Sequence, residues 1–282
     1  MGKKRILYVS QEISPYTKEN KRSNFCMNLP QVVQENDNDI RIFMPKFGTI
    51  NERRHQLHEV IRLSGMNLII DDFDHQLIIK VASVQQSRMQ VYFIDNEEYF
   101  PKRHYLNDPE GNFMQNNDER MMFFCKGVIE TVKKLGWAPD IIHCNGWFSA
   151  LVPMYIKKLY NKDPMFANTK IYYTVFDNPF KGDLNNSLSE KLLFEDLQDK
   201  DVEMIGNPTF DNLNKFAISY SDAVVLGSKK LSKNLLDFIK KNNIPVLVKT
   251  DDDNFEEQCL YFYDSTKKTK KTKKNNQLVE VV

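Results

Sequence analysis

The chain has 282 residues, enough for one large domain or two small ones, and its 41% hydrophobic and 27% charged residues are typical of a soluble globular protein. A formal net charge of +1, with no apolar run as long as a membrane span, gives no reason to expect a nucleic acid or a membrane as partner. The four cysteines, Cys26, Cys125, Cys144 and Cys259, form no CxxC pair, which argues against a metal site or a disulfide framework and predicts a cytoplasmic location.

The first segment of the chain has the pattern strand, helix, strand. An apolar run at 5–10 predicts a buried strand, and a polar loop follows at 16–23. A helix is predicted from about Asn24, because Phe25, Leu29, Val32 and Val33 recur at helical spacing. A second strand is predicted at 39–44. This order is typical of a βαβ unit, and it therefore predicts a parallel sheet.

The segment 56–95 changes character and reads as short strands. Four runs rich in β-branched and aromatic residues are separated by polar turns, at 57–63, 66–70, 77–84 and 89–94. We interpret them partly as a small antiparallel insertion. A polar loop at 98–114, which carries Tyr99, Phe100 and Tyr105, connects the insertion to the rest of the chain.

The remaining chain alternates helices and strands again. Helices are predicted at about 117–135, 147–160, 187–197, 209–219, 229–241 and 253–262, and strands at 140–143, 171–175, 223–226 and 244–248. The predicted fold class is α/β, a Rossmann-like parallel sheet flanked by helices, with one domain over residues 1–264. Six lysines between 267 and 274 repel one another, so residues 265–282 are predicted to be a disordered tail.

Polar turns follow two of the predicted strands. The first strand leads into Gln11-Glu-Ile-Ser-Pro15, and the strand at 140–143 leads into Cys144-Asn-Gly-Trp147. In open α/β sheets, ligands bind beyond the carboxyl ends of the strands. Both turns are therefore candidate walls of one ligand site.

These segments resemble the N-terminal domain of the bacterial glycogen/starch synthase family. The matching residues are Arg5–Glu12 with Pro15, Leu29-Pro30, Asp39-Ile-Arg41, Met44-Pro-Lys-Phe-Gly-Thr-Ile50, Asn117-Asp-Glu-Arg120 with Phe123-Phe124, Asp140–Trp147 and Tyr173-Thr-Val175. They occur in the family's order over about residues 1–245. The chain looks closest to the short, single-domain members of the Bacteroidetes type.

The resemblance implies a GT-B fold and the transfer of glucose from ADP-glucose to an α-1,4-glucan. It implies no cofactor or metal; ADP-glucose would be a donor substrate. At the donor site, Lys18 matches a family lysine and His143 matches a family histidine, whereas Asn145 stands where the family has a second histidine. These three residues are the predicted substrate-binding residues, and no catalytic residue is assigned.

Several positions depart from the family pattern. Asn20 and Lys21 replace a pair of glycines, and Gly146 replaces an aspartate. The family's Tyr-Thr-Val strand ends in His-Asn, whereas Phe176-Asp-Asn178 stands at that strand end here. The family's second domain, which supplies cations for the diphosphate, is not recognisable in the sequence. Reduced or absent catalysis is therefore expected for this chain alone.

Three interpretations stay open at this stage. The chain is a glucosyltransferase half-site completed by a partner protein, or a non-catalytic module that binds a glycan or a nucleotide sugar. Alternatively, it is a protein-interaction module that uses the 56–114 insertion. For single residues too, Lys18 has the alternative of an exposed loop lysine, and His143 that of a structural histidine.

Overall fold

The computed structural model describes residues 3–84, 87, 89–249 and 254–265. The predicted Lys-rich tail therefore lies outside the described residues, except for Ser265, which is the last residue of a helix. None of the helices within the described ranges has the length and apolarity that crossing a membrane requires.

Within the described residues, ten strands form the centre of the molecule. They are β1 (Arg5–Ser10), β2 (Asp39–Pro45), β3 (His58–Glu59), β4 (Met66–Ile70), β5 (Phe73–Ser83), β6 (Gln90–Asp95), β7 (Ile141–Asn145), β8 (Lys170–Val175), β9 (Ala223–Leu226) and β10 (Val246–Val248). The order across the sheet is β10-β9-β8-β7-β1-β2-β6-β5-β3, and β4 pairs with β5. The seven strands from β10 to β6 run parallel, whereas β3, β4 and β5 pair antiparallel.

Eight α-helices surround the sheet. They are α1 (Lys21–Glu35), α2 (Asn117–Lys134), α3 (Val152–Lys158), α4 (Leu188–Leu193), α5 (Asp199–Val202), α6 (Phe210–Ser219), α7 (Lys233–Lys241) and α8 (Phe255–Ser265). Short 3₁₀ turns lie at Trp147–Ser149 and Glu203–Ile205.

Helices cover both faces of the sheet. Tyr8, His143 and Tyr172 are register partners on β1, β7 and β8, so their side chains share one face. Tyr263 of α8 contacts all three rings, and α8 also packs on α1. Tyr173 points to the other face, where its hydroxyl donates to Asn214 of α6 at 2.9 Å. Strands buried on both faces explain the nearly continuous apolar runs of the sequence.

The structure confirms the predicted fold class and corrects several boundaries. The hairpin between β4 and β5 turns on Asp71 and Asp72 alone, both with positive φ, so β5 begins at Phe73 instead of residue 77. The predicted strand at 57–63 shrinks to β3. The predicted helix at 147–160 divides into a 3₁₀ turn and the short helix α3.

Helix α1 begins three residues earlier than predicted, because Asn20 caps it. The Asn20 side-chain oxygen accepts hydrogen bonds from the backbone N–H groups of Arg22 at 2.8 Å and Ser23 at 3.0 Å. The Ser23 hydroxyl accepts in return from the Asn20 N–H at 2.9 Å, which completes a capping box.

Candidate functional site

The two polar turns meet at the carboxyl ends of β1 and β7. Ser10 and Asn145 are register partners, and the Gln11 N–H donates to the Asn145 carbonyl at 3.4 Å. The order of strands in the sheet creates this meeting point, since β1 lies between β7 and β2. The chain leaves β1 for α1 on one face of the sheet, and it leaves β7 for α3 on the other. At such a point, open α/β sheets bind their ligands in a crevice.

Asn145 is the last residue of β7 at this point of the sheet and is 2% exposed. Its side-chain nitrogen donates to the Ser10 hydroxyl at 3.2 Å and reaches the His143 carbonyl at 3.5 Å. Its side-chain oxygen has no hydrogen-bond partner among the described residues. An unpaired buried acceptor costs free energy, and this atom is enclosed by the protein.

His143 lies two residues before Asn145 and is completely buried. The Tyr263 hydroxyl lies 2.5 Å from its Nδ1 atom, and the Thr174 hydroxyl lies 2.6 Å from its Nε2 atom. Burial lowers the pKa of His143 from 6.5 to about 3, so the ring is neutral at physiological pH. Both ring nitrogens are occupied by protein groups, which favours the structural interpretation of this residue.

Lys18 lies in the loop before α1 and is exposed. Its ammonium group makes no ion pair or hydrogen bond with any residue that the structure describes. Its backbone carbonyl accepts from the side chains of Asn20 and Ser23, both at 3.1 Å. The loop backbone is therefore anchored at Lys18, and the Lys18 side chain extends into solvent. Asn145 and His143, by contrast, are buried at the end of β7.

Glu12 ties the loop to the first turn of α1. Its carboxylate accepts from Arg22 Nε at 2.6 Å and from Asn20 Nδ2 at 2.8 Å. The Glu12 side chain is 10% exposed and that of Arg22 33%. The negative charge of Glu12 is thus compensated within the protein, and the Arg22 guanidinium is already engaged.

Gln11 and Tyr105 close the crevice towards the loop that precedes α2. Gln11 is 3% exposed, and its side-chain oxygen has no partner among the described residues. Burial raises the pKa of Tyr105, and a side-chain hydrogen bond with Gln11 opposes that rise. The Tyr105 ring packs edge-on against Phe47, with 4.4 Å between the ring centroids.

Arg120 is a buried cation beside Phe47. Its Nε atom donates to the Tyr99 carbonyl at 2.6 Å, and its Nη1 atom donates to Asn117 Oδ1 at 2.5 Å. The guanidinium also lies over the rings of Phe47 and Phe100. Burial lowers the pKa of Arg120 to about 10, so it stays charged at neutral pH.

Sequence reasoning did not single out Gln11, Glu12, Arg22 or Arg120 as site residues. The two residues that follow β1 belong to a recognised motif, and that position was the available signal. For Arg120, the signal was a cation inside the apolar stripe of a predicted helix. Nothing in the sequence indicated that Arg22 would pair with Glu12.

A cavity of about 580 Å³ lies between the loop before α2 and the loop before α4. Its lining is mostly polar: Asn112, Phe113, Gln115, Lys181, Gly182, Asp183, Leu184, Asn185 and Asn186. A second cavity of about 350 Å³ lies at the amino end of β2. Neither cavity is lined by the three predicted substrate-binding residues. No cluster of side chains within the described ranges has the composition of a metal site.

Comparisons with known proteins identify a family and relatives that match most of the chain. The family model described as "Starch synthase catalytic domain" matches residues 5–269. The glycogen synthase of Chlorobium luteolum is 38% identical over 194 residues, which are 68% of this chain and 40% of that protein. The glycogen synthase of Chlorobium phaeobacteroides is 34% identical over 235 residues, 80% of this chain and 48% of that protein. The chain thus spans less than half the length of these relatives.

Among solved structures, the catalytic domain of starch synthase IV from Arabidopsis thaliana, bound to ADP and acarbose, has a similar fold. The TM-score is 0.69 at 18% sequence identity, over 88% of this chain and 51% of that one. At this level of identity the likeness shows the fold alone, and it agrees with the Rossmann-like sheet described above.

Proposed function

The chain belongs to the starch synthase catalytic-domain family, and from this premise we propose that its crevice binds a nucleotide sugar or a glycan in glycogen metabolism with little or no glucose transfer of its own. Its family relates the protein to ADP-glucose:α-1,4-glucan glucosyltransferases, and its own site residues argue against efficient transfer. A cytoplasmic location is part of the proposal. All four cysteines are free and buried, which suits a reducing compartment.

The observation that carries the proposal is the cap of α1. A helix N-terminus beside a strand end can bind phosphate through its free N–H groups. Here the Asn20 side-chain oxygen already accepts from the N–H groups of Arg22 and Ser23. A phosphate would have to displace this cap, and the nearby Arg22 guanidinium is held by Glu12.

The crevice also lacks a free group for proton transfer. His143 is buried with both nitrogens engaged, and an amide such as Asn145 carries no transferable proton at neutral pH. Lys18 is the remaining cation of the loop before α1, and it is exposed. Electrostatic stabilisation of the leaving group is commonly the largest catalytic term, with one donor contributing roughly 10²–10³ in rate.

Titration calorimetry with ADP-glucose, ADP and a malto-oligosaccharide, followed by a glucose-transfer assay on glycogen, tests the proposal. We expect weak binding, with a Kd of about 0.1–1 mM or weaker, equivalent to roughly 4–5.5 kcal/mol. Transfer from ADP-glucose should not exceed the background without protein. Robust transfer by the purified chain would overturn the proposal.

A second candidate function is that of a protein-interaction module, which a partner chain could use to complete the cleft. Its support is the exposure of large apolar side chains on the inserted segment: Ile61 in the turn after β3 is 82% exposed, and Ile69 of β4 and Phe73 of β5 are 58% and 69% exposed. Sedimentation of the chain mixed with the separately expressed C-terminal half of a Chlorobium glycogen synthase tests this function. A complex that Phe73→Ser weakens would favour it; unchanged sedimentation would argue against it.

A further inference from the structure

We propose that a second copy of this chain docks on an exposed apolar patch of the molecule, through its Lys-rich segment 266–282. The patch, called the hairpin patch below, consists of Ile69, Phe73 and Phe194. Exposed carboxylates lie beside its apolar side chains, and the segment combines lysines with apolar residues. This self-association goes beyond the proposed ligand binding and does not depend on it.

The hairpin patch lies on two segments that a single lysine joins. Ile69 and Phe73 belong to the β4–β5 hairpin, and Phe194 directly follows α4; all three side chains are more than half exposed. The Lys126 ammonium of α2 donates to the Ile69 carbonyl at 2.8 Å and to Glu195 Oε1 at 2.8 Å. The hairpin and the turn after α4 therefore lie side by side. Exposed apolar side chains gathered in this way mark an interaction surface.

The charge beside the hairpin patch is negative. Asp72, Asp74 and Asp196 are exposed carboxylates, each within two residues of a phenylalanine of the patch. The cation between the two segments, Lys126, is already paired with Glu195. An apolar surface bordered by carboxylates is complementary to a partner that presents apolar side chains together with positive charge.

The sequence of segment 266–282, which lies outside the described residues, has both of these features. Six lysines occur between 267 and 274, and the apolar run Leu278-Val-Glu-Val-Val282 follows them. The lysines can pair with the carboxylates, and the apolar run can cover the exposed rings. Burial of apolar surface would supply the affinity, and the ion pairs would orient the contact.

The segment of the same molecule starts far from the hairpin patch. It follows Asp264, which pairs with Lys4 at the amino ends of the parallel strands. Phe73 lies beyond their carboxyl ends, because Ile78 of β5 pairs with Asp95, the last residue of β6, and Phe73 is further up β5. The strand register places Lys4 and Phe73 about 13 residue levels apart, roughly 40 Å at about 3.3 Å per residue.

The length of the segment therefore favours a second copy as the occupant. Residues 266–277 span at most roughly 40 Å when fully extended. They would bring Leu278 to the patch of their own molecule only along a straight line through the protein. A second copy is free of this limit, and a two-fold axis lets each copy dock its segment on the patch of the other.

Sedimentation velocity of the full chain over a range of concentrations, in about 0.1 M and about 0.5 M salt, tests the inference. Because the contact is small, we expect weak dimerisation with a Kd of about 10–100 μM, and about tenfold weaker dimerisation in the higher salt. Phe73→Ser should weaken dimerisation about tenfold or more. The matched control is Val248→Ser, which changes another exposed apolar side chain at the opposite edge of the sheet and should have no effect.

An exchange of charges identifies the segment as the occupant. The variant Asp72→Lys/Asp74→Lys reverses the charge beside the patch, and Lys270→Glu/Lys271→Glu reverses charge in the segment. Each double variant alone should dimerise about tenfold more weakly or worse. An equimolar mixture of the two should regain most of the wild-type association, because each reversed patch then meets a reversed segment. Thermal melting should confirm that every variant is folded.

Three results would overturn the inference. They are a chain that stays monomeric at about 0.5 mM, dimerisation that Phe73→Ser leaves unchanged, and a mixture of the two charge variants that associates no better than either variant alone. Ligand titrations of the same variants keep the proposed function separate, since none of these substitutions lies at the ends of β1 and β7.

Discussion

Replacing Tyr263 by phenylalanine tests whether α8 is held on the sheet by hydrogen bonds to buried partners. The Tyr263 hydroxyl lies 2.5 Å from His143 Nδ1 and 3.3 Å from the Tyr8 hydroxyl, and all three residues are at most 1% exposed. The substitution removes one oxygen atom and keeps the ring. It therefore leaves the imidazole nitrogen buried without a partner.

The cost of such an unsatisfied buried group is about 1–3 kcal/mol of unfolding free energy. For a domain of this size, each kcal/mol lowers the melting temperature by about 2–4 °C, so we expect Tm to fall by roughly 2–12 °C. Differential scanning calorimetry measures the shift, and urea unfolding gives the free energy independently.

Tyr261→Phe is the matched control, because Tyr261 lies on the same helix and is 70% exposed. Removing its hydroxyl should change the stability by less than about 0.5 kcal/mol. Equal melting temperatures for Tyr263→Phe and the wild type would refute the reasoning and show that the hydroxyl contributes nothing to the docking of α8.

Three further experiments test other features of the molecule. Because burial lowers the pKa of His143 to about 3, the unfolded chain binds a proton that the folded chain does not between pH 6.5 and 3. The free energy of unfolding should therefore fall as pH decreases through this window, by about 1.4 kcal/mol per pH unit. Urea unfolding at pH 7, 6 and 5 measures this slope, which should be smaller in His143→Gln. Replacing both Asn20 and Lys21 by glycine should remove the side-chain cap of α1 and cost only about a few tenths of a kcal/mol of stability at Asn20, because glycine is itself tolerated as a cap. The same variant should tighten ADP binding in calorimetry, whereas unchanged ADP binding would contradict the role of the cap. Lys18→Ala should weaken any residual ADP binding, since an ammonium serves a phosphate as a point charge, and equal, unmeasurable ADP binding in the wild type and in both sets of variants would leave protein interaction as the better function.

The order of elements could be predicted from the sequence because its signals are local. Parallel strands buried on both faces are nearly continuous apolar runs, and β1, β7 and β9 were predicted to within two residues. The parallel order also predicts that the turns after β1 and β7 meet, as Ser10 and Asn145 do. Boundaries that depend on a cap or a tight turn were less accurate, as at Asn20 and at Asp71.

The amino-acid sequence by itself determined the fold class and the family, and it predicts that a ligand would meet the sheet at the turns after β1 and β7. Only the tertiary structure decided which partners the candidate residues have. The Tyr263 hydroxyl forms a hydrogen bond with buried His143, and Glu12 forms an ion pair with Arg22. It also decided that the buried side-chain oxygens of Gln11 and Asn145 are among those without a donor in the part of the chain that the structure describes. The reason is that a buried polar group takes its partners from whichever segments pack beside it. His143 and Tyr263 are 120 positions apart in the sequence, and no local pattern indicates such a contact.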